Sequence, residues 1–137
     1  MTSPPKATPM HSRQPAIPPR HFSPEALRED LFGSQSALDA VLQTVSPWLT
    51  EMRERLLEAA AVQDVAKLAR RAHTLRGALM QLHADTAVAL TRTLEATCKQ
   101  ADDVPDAPQV HAQLSALLTE LEALHAEVDQ HLSAQQR

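Results

Sequence analysis

The sequence has no tyrosine, one tryptophan, two phenylalanines, one cysteine and only two glycines among 137 residues. With aromatics at 2% against 43% apolar residues, the core must be built from leucine, alanine and valine, the material of packed helices and not of a β-sandwich. The single cysteine, Cys98, excludes an internal disulfide and a cysteine-based zinc site, and it occupies an apolar position of a helical pattern, as a buried thiol would. No apolar run approaches the roughly 20 residues needed to cross a bilayer, and prolines stand near the N-terminus where a signal peptide would need its apolar segment. A basic stripe is also missing: the net charge of −4 arises from both signs scattered along the chain, which argues against a nucleic-acid partner. These absences predict one soluble, cytoplasmic domain with no membrane contact.

Residues 1–22, "MTSPPKATPMHSRQPAIPPRHF", hold six of the ten prolines and no hydrophobic period, and read as a disordered leader. The character changes at "SPEALREDLFG", where Ser23 can cap a short helix that begins at Pro24 and ends at Gly33. Leu38, Leu42, Val45, Leu49, Met52 and Leu56 then lay one apolar stripe along a helix from about Ser36 to Ala60. Pro47 either kinks that helix or, with Ser46 as cap, starts a new one. A third segment runs from Asp64 to Leu82 on Leu68, Ala72, Leu75, Leu79 and Leu82, followed by a junction at His83 to Asp85. A fourth carries Ala87, Leu90, Leu94 and Cys98, and a fifth runs from about Pro108 to Leu132, leaving 134–137 frayed. The predicted fold is all-α: an antiparallel four-helix bundle with a short N-terminal helix, spanning 23–133.

On a helical wheel at about 100° per residue, the stripe of the third helix falls within about 40° of Leu68 while His73 lies about 140° away, facing outward. Gly77 sits one turn on beside it, with Arg70 and Met80 flanking and Arg76 on the shoulder. A mid-helix glycine costs about 0.5–1 kcal/mol relative to alanine, so a close approach by another surface is the natural reason for it. Neutral imidazole is a competent nucleophile near neutral pH, with an ordinary pKa of about 6.5. A guanidinium three residues along can partly neutralise a phosphoryl group on the ring.

His73-Thr74-Leu75-Arg76-Gly77 resembles the H-x-L-K-G phosphorylation motif of histidine-containing phosphotransfer (HPt) domains, and the resemblance runs from roughly Glu25 to Leu132. It implies a phosphocarrier in a two-component phosphorelay, in which His73 takes a phosphoryl group from one receiver-domain aspartate and passes it to another. Arg76, Gly77, Arg70 and Met80 would support phosphate or partner, and Gln81 and Glu95 would be polar groups near the site. The partner would be the receiver domain of a hybrid sensor kinase or a response regulator, the Mg²⁺ would sit on that receiver, and this chain would act as a monomer without cofactor. The shortage of glycine agrees, since no P-loop or other phosphate cradle is present and no autonomous kinase activity is expected. Arg76 stands where the family usually has lysine, Leu79 and Met80 where small residues usually follow the glycine, and His83-Ala84 where Gly-Ala is often found. Those departures motivate an alternative, a helical docking or scaffolding protein that binds a receiver or kinase without phosphotransfer. A metal reading rests on Glu122-Ala-Leu-His125 alone, and a di-iron bundle needs two such motifs and two further glutamates.

Overall fold

The computed structural model describes residues 21–100 and 107–135. Among them are five helices: α1 (Pro24–Asp30), α2 (Gln35–Ala61), α3 (Val65–Gln81), α4 (Asp85–Gln100) and α5 (Ala107–Gln135). Side-chain oxygens start the first three, with Ser23, Ser34 and Asp64 accepting from the N–H groups of Ala26, Ala37 and Lys67. Contacts join α2 to α3, α3 to α4, α4 to α5 and α5 back to α2, closing a four-helix bundle that α1 meets through α2. The stripes read from the sequence are its core: Leu38, Leu42, Leu49, Leu56, Leu75, Leu79, Leu94, Leu117, Leu121 and Leu124 are fully buried. Leu79, one of the departures from the family pattern, is therefore a packing residue. No helix among the described residues is long and apolar enough to cross a membrane.

Pro47 neither ends nor restarts α2, which runs through it unbroken. Leu42 and Leu49 are both buried, so packing on either side holds the helix across the missing hydrogen bond. Pro47 and Gln43, whose carbonyl loses its helical donor, are both exposed, so water can replace that donor. Ser46 is not a cap: its hydroxyl lies 2.7 Å from the Asp129 carboxylate and 2.9 Å from His125 Nε2, tying α2 to α5.

Two boundaries move. His21 and Phe22, assigned to the leader, belong to the folded domain, with Phe22 only 3% exposed and edge-on to His131. One carboxylate oxygen of Glu127 accepts both backbone N–H groups, at 3.0 and 3.1 Å, and Glu120 lies 2.7 Å from His21 Nδ1. The cause was legible: Phe22 precedes the cap and Leu27 lies in the first full turn, the arrangement of a hydrophobic staple, and both enter the core. Residues 1–20 of the expected leader lie outside the described residues. At the other end α5 continues to Gln135, three residues past the last partly buried leucine, Leu132, because alanine and glutamine sustain helix without packing. Of the frayed end expected at 134–137, only the last two residues remain outside the description.

The helix ends show where this chain does without glycine. Phe32, Gln63 and His83 have φ of 59°, 57° and 59°, each one residue past a helix cap in a left-handed position that glycine would favour. At all three the following N–H returns to the last turn: Gly33 to Arg28 at 2.8 Å, Asp64 to Ala59 at 3.1 Å, and Ala84 to Leu79 at 3.1 Å. His83 takes the left-handed conformation itself, and its Nε2 lies 2.7 Å from Asp30, bracing α1 against the α3–α4 turn.

Candidate functional site

The outward face of α3 meets the flank of α4 around one carboxylate. Glu95 is buried on α4, its side chain 6% exposed, and three groups converge on it. His73 Nδ1 lies 3.0 Å from Oε2, the Arg76 guanidinium donates to Oε1 at 2.7 Å, and the Lys99 ammonium donates to Oε2 at 2.6 Å. A second Arg76 nitrogen lies 3.2 Å from His73 Nδ1, which closes the cluster. Arg76 and His73 share a face because they are three residues apart on α3, and Glu95 and Lys99 because they are four apart on α4.

Burial pushes the Glu95 carboxyl up, but the hydrogen bond from Lys99, the Arg76 charge and the hydrogen bond from His73 outweigh it and hold the group below its usual 4.5. Glu95 is therefore an anion in a nearly dry position with cations on two sides. His73 is the opposite case, with its side chain 62% exposed. A ring anchored at Nδ1 with its bulk in solvent presents Nε2 outward.

Gly77 lies one turn beyond His73, and a Cβ placed on it would meet nothing within 4 Å. The fold does not need a glycine there, whereas three helix ends that favour glycine hold phenylalanine, glutamine and histidine. Gly77 therefore leaves bare backbone open on the surface one turn from His73.

A family model of the Hpt domain matches residues 36–130, more than half of the chain and every residue of this cluster. The chain belongs to the Hpt domain family. Hpt domains perform histidine phosphotransfer in phosphorelays, in which they meet receiver domains. No curated protein and no solved structure matched the chain.

Of the residues expected at the site of this Hpt domain, His73, Arg76 and Glu95 are in direct contact. Arg70 and Met80 are exposed on the same helix. Gln81, also exposed, is the last residue of α3 and lies outside the hydrogen-bonded cluster. Lys99 is the member that sequence reasoning missed, although its spacing of four from Glu95 marked an ion pair on a helix face. The Glu-x-x-His pair of α5 is used structurally: Glu122 bonds Arg53, and His125 faces Ser46 and Asp129. Cys98 is buried, and burial pushes its thiol up, away from nucleophilic use.

Proposed function

We propose that this Hpt domain carries a phosphoryl group on Nε2 of His73 between receiver-domain aspartates. The observation that supports this reading above others is an exposed imidazole whose inner nitrogen faces a buried, ionised carboxylate. A carboxylate only accepts, so Glu95 at 3.0 Å favours the tautomer with the proton on Nδ1 and the lone pair on Nε2; the Arg76 nitrogen 3.2 Å from the same Nδ1, itself only a donor, then makes no hydrogen bond to it. That lone pair attacks phosphorus of the receiver's aspartyl phosphate, the N–P bond forms, and the acyl P–O bond breaks with its electrons leaving on the aspartate. The ring then carries the positive charge of an imidazolium, and Glu95 stabilises that charge across the Nδ1–H bond. Transfer onward reverses the same step.

Arg76 and Lys99 place two cations beside the ring, where they offset phosphoryl charge and hold Glu95 ionised. The Mg²⁺ of the reaction belongs to the receiver, which comes from a hybrid sensor kinase or a response regulator. This chain supplies nucleophile, charge and docking surface, as a monomer in the cytoplasm. Incubation with a phosphorylated receiver domain should place acid-labile label on the wild type and none on His73→Gln. Label that persists on the variant overturns the assignment.

A further inference from the structure

The two cations of the His73 cluster are both committed to Glu95: Arg76 donates to one carboxylate oxygen at 2.7 Å and Lys99 to the other at 2.6 Å. A phosphoryl group on the ring brings about 1.5 to 2 further negative charges, and its oxygens need donors of their own. Arg92 on α4 carries no such commitment. It is exposed, and among the described residues nothing pairs with its guanidinium.

The register of α3 on α4 places this arginine. The two helices are joined by a short turn and run antiparallel, so residues before Glu95 on α4 lie beside residues after Arg76 on α3. Glu95 stands opposite the stretch from His73 to Arg76. Arg92, three residues earlier, therefore comes level with Gly77, about 6 Å along the axis from His73. Direction agrees with level. With Leu94 of the core set at zero on the wheel of α4, Glu95 lies about 100° away, Lys99 about 140° and Arg92 about 160°. Glu95 marks the flank that meets α3, and Arg92 lies about 60° further from the core, on the outer side of the seam where His73 and Gly77 stand. Packed helices are about 8–10 Å apart, a gap that an arginine and a phosphoryl-bearing ring can close from two sides. A side chain at position 77 would stand in that gap, and Gly77 leaves it clear, with nothing within 4 Å of where its Cβ would be. Neither helix offers Arg92 a competing acid nearby: α3 has none, and the acids of α4 are the buried Glu95 and Asp85, seven residues before Arg92.

We propose that Arg92 binds the phosphoryl oxygens on His73, during transfer and in the phosphorylated chain, reaching across the bare backbone of Gly77. This role rests on His73 as the phosphoacceptor. Arg76 and Lys99 keep Glu95 ionised beneath the ring, and Arg92 meets the charge that arrives on its outer side. With a phosphorylated receiver as donor, Arg92→Gln should lower the maximal transfer rate about tenfold, as a lost hydrogen bond to a charged group does, while half-saturation moves less than about twofold. Arg92→Lys keeps the charge without the planar fork and should recover part of the rate. Unfolding midpoints should stay close to that of the wild type, because the side chain is exposed. The phosphorylated chains give a direct readout. A nearby cation favours the dianionic phosphoryl group, so its titration midpoint in phosphorus NMR should lie higher in Arg92→Gln than in the wild type.

A wild-type rate in Arg92→Gln overturns the assignment. So does a slower rate with an unmoved phosphoryl titration, since the guanidinium then acts elsewhere, and so does a change confined to half-saturation, which marks a contact with the receiver surface. Phosphoramidate, a small donor that needs no docking, separates Arg92 from the reading on which its role rests. If it labels the wild type and not His73→Gln while Arg92→Gln matches the wild type in rate and titration, Arg92 fails alone. If acid-labile label from the receiver persists on His73→Gln, the phosphoacceptor reading itself fails.

Discussion

Histidines meet carboxylates on two sides of this bundle, with different consequences. On the α3–α4 side, His73 stands in solvent above the buried carboxylate of Glu95. On the α5 side, His21 and His125 are themselves largely covered, and their contacts tie the segment before α1, and α2, to α5. The charges differ as well: α3 carries four cations and no acid, while α5 carries Glu120, Glu122, Glu127 and Asp129 and neither lysine nor arginine. A histidine–carboxylate contact is thus no signature of chemistry by itself. An accessible ring, a buried anion behind it and cations around it set the α3–α4 pair apart, and the proposed phosphoryl transfer rests on that difference.

The largest test of that contrast is substitution of each histidine in turn. His73→Gln should abolish labelling by a phosphorylated receiver, whereas His125→Gln should retain it at temperatures where both variants stay folded. Next in size, Phe22→Ala should lose about 3–5 kcal/mol in urea unfolding, because it removes a buried ring of the core. Labelling of the folded variant should be unchanged, since Phe22 meets His131 and Glu127 of α5.

Glu95→Gln sharpens the comparison at the site. Loss of a hydrogen bond to an ionised group should slow transfer about tenfold. The tautomer ratio of His73, read from ring nitrogen shifts, should move towards the form protonated at Nε2. The pH dependence has a definite sign. Because the folded-state pKa of Glu95 lies below 4.5, its contribution to stability is present above that value and is lost as pH falls through the folded pKa. Urea midpoints compared at about pH 6 and about pH 3 should therefore fall less in Glu95→Gln than in wild type.

Gly77→Ala is a smaller change with two opposite effects. Stability should rise by about 0.5–1 kcal/mol, since the added Cβ meets nothing within 4 Å, while receiver affinity falls. Smallest is Arg53→Ala, which removes an exposed pair with Glu122 across α2 and α5 and should cost less than about 1 kcal/mol.

Much of the fold was legible because helices declare themselves locally. Ser23 and Asp64 act as caps through side-chain chemistry, and the leucine stripes announce the buried faces, whereas the cap of α2 is Ser34, two residues before the start read from its stripe. Pro47 was ambiguous because propensity alone favours a break, and only the burial of Leu42 and Leu49 on either side settles it. Phe22 was misassigned because a proline-rich composition outweighed the staple it forms with Leu27.

The sequence by itself determined that His73 faces away from the core and that Gly77 and Arg76 share its surface, since period and spacing along one helix fix directions about that helix's own axis. It could not determine what stands across from them. Glu95 lies 22 residues from His73, on another helix, and reaches it through the register in which α3 packs on α4. That register follows from how the buried faces of α3 and α4 fit together in the core, a matter of shape between helices that no pattern within one helix encodes. The tertiary structure therefore decided that His73 stands over a buried anion, that Lys99 joins the charged cluster, and that Phe32 is displayed from the braced turn beside Asp30 and His83.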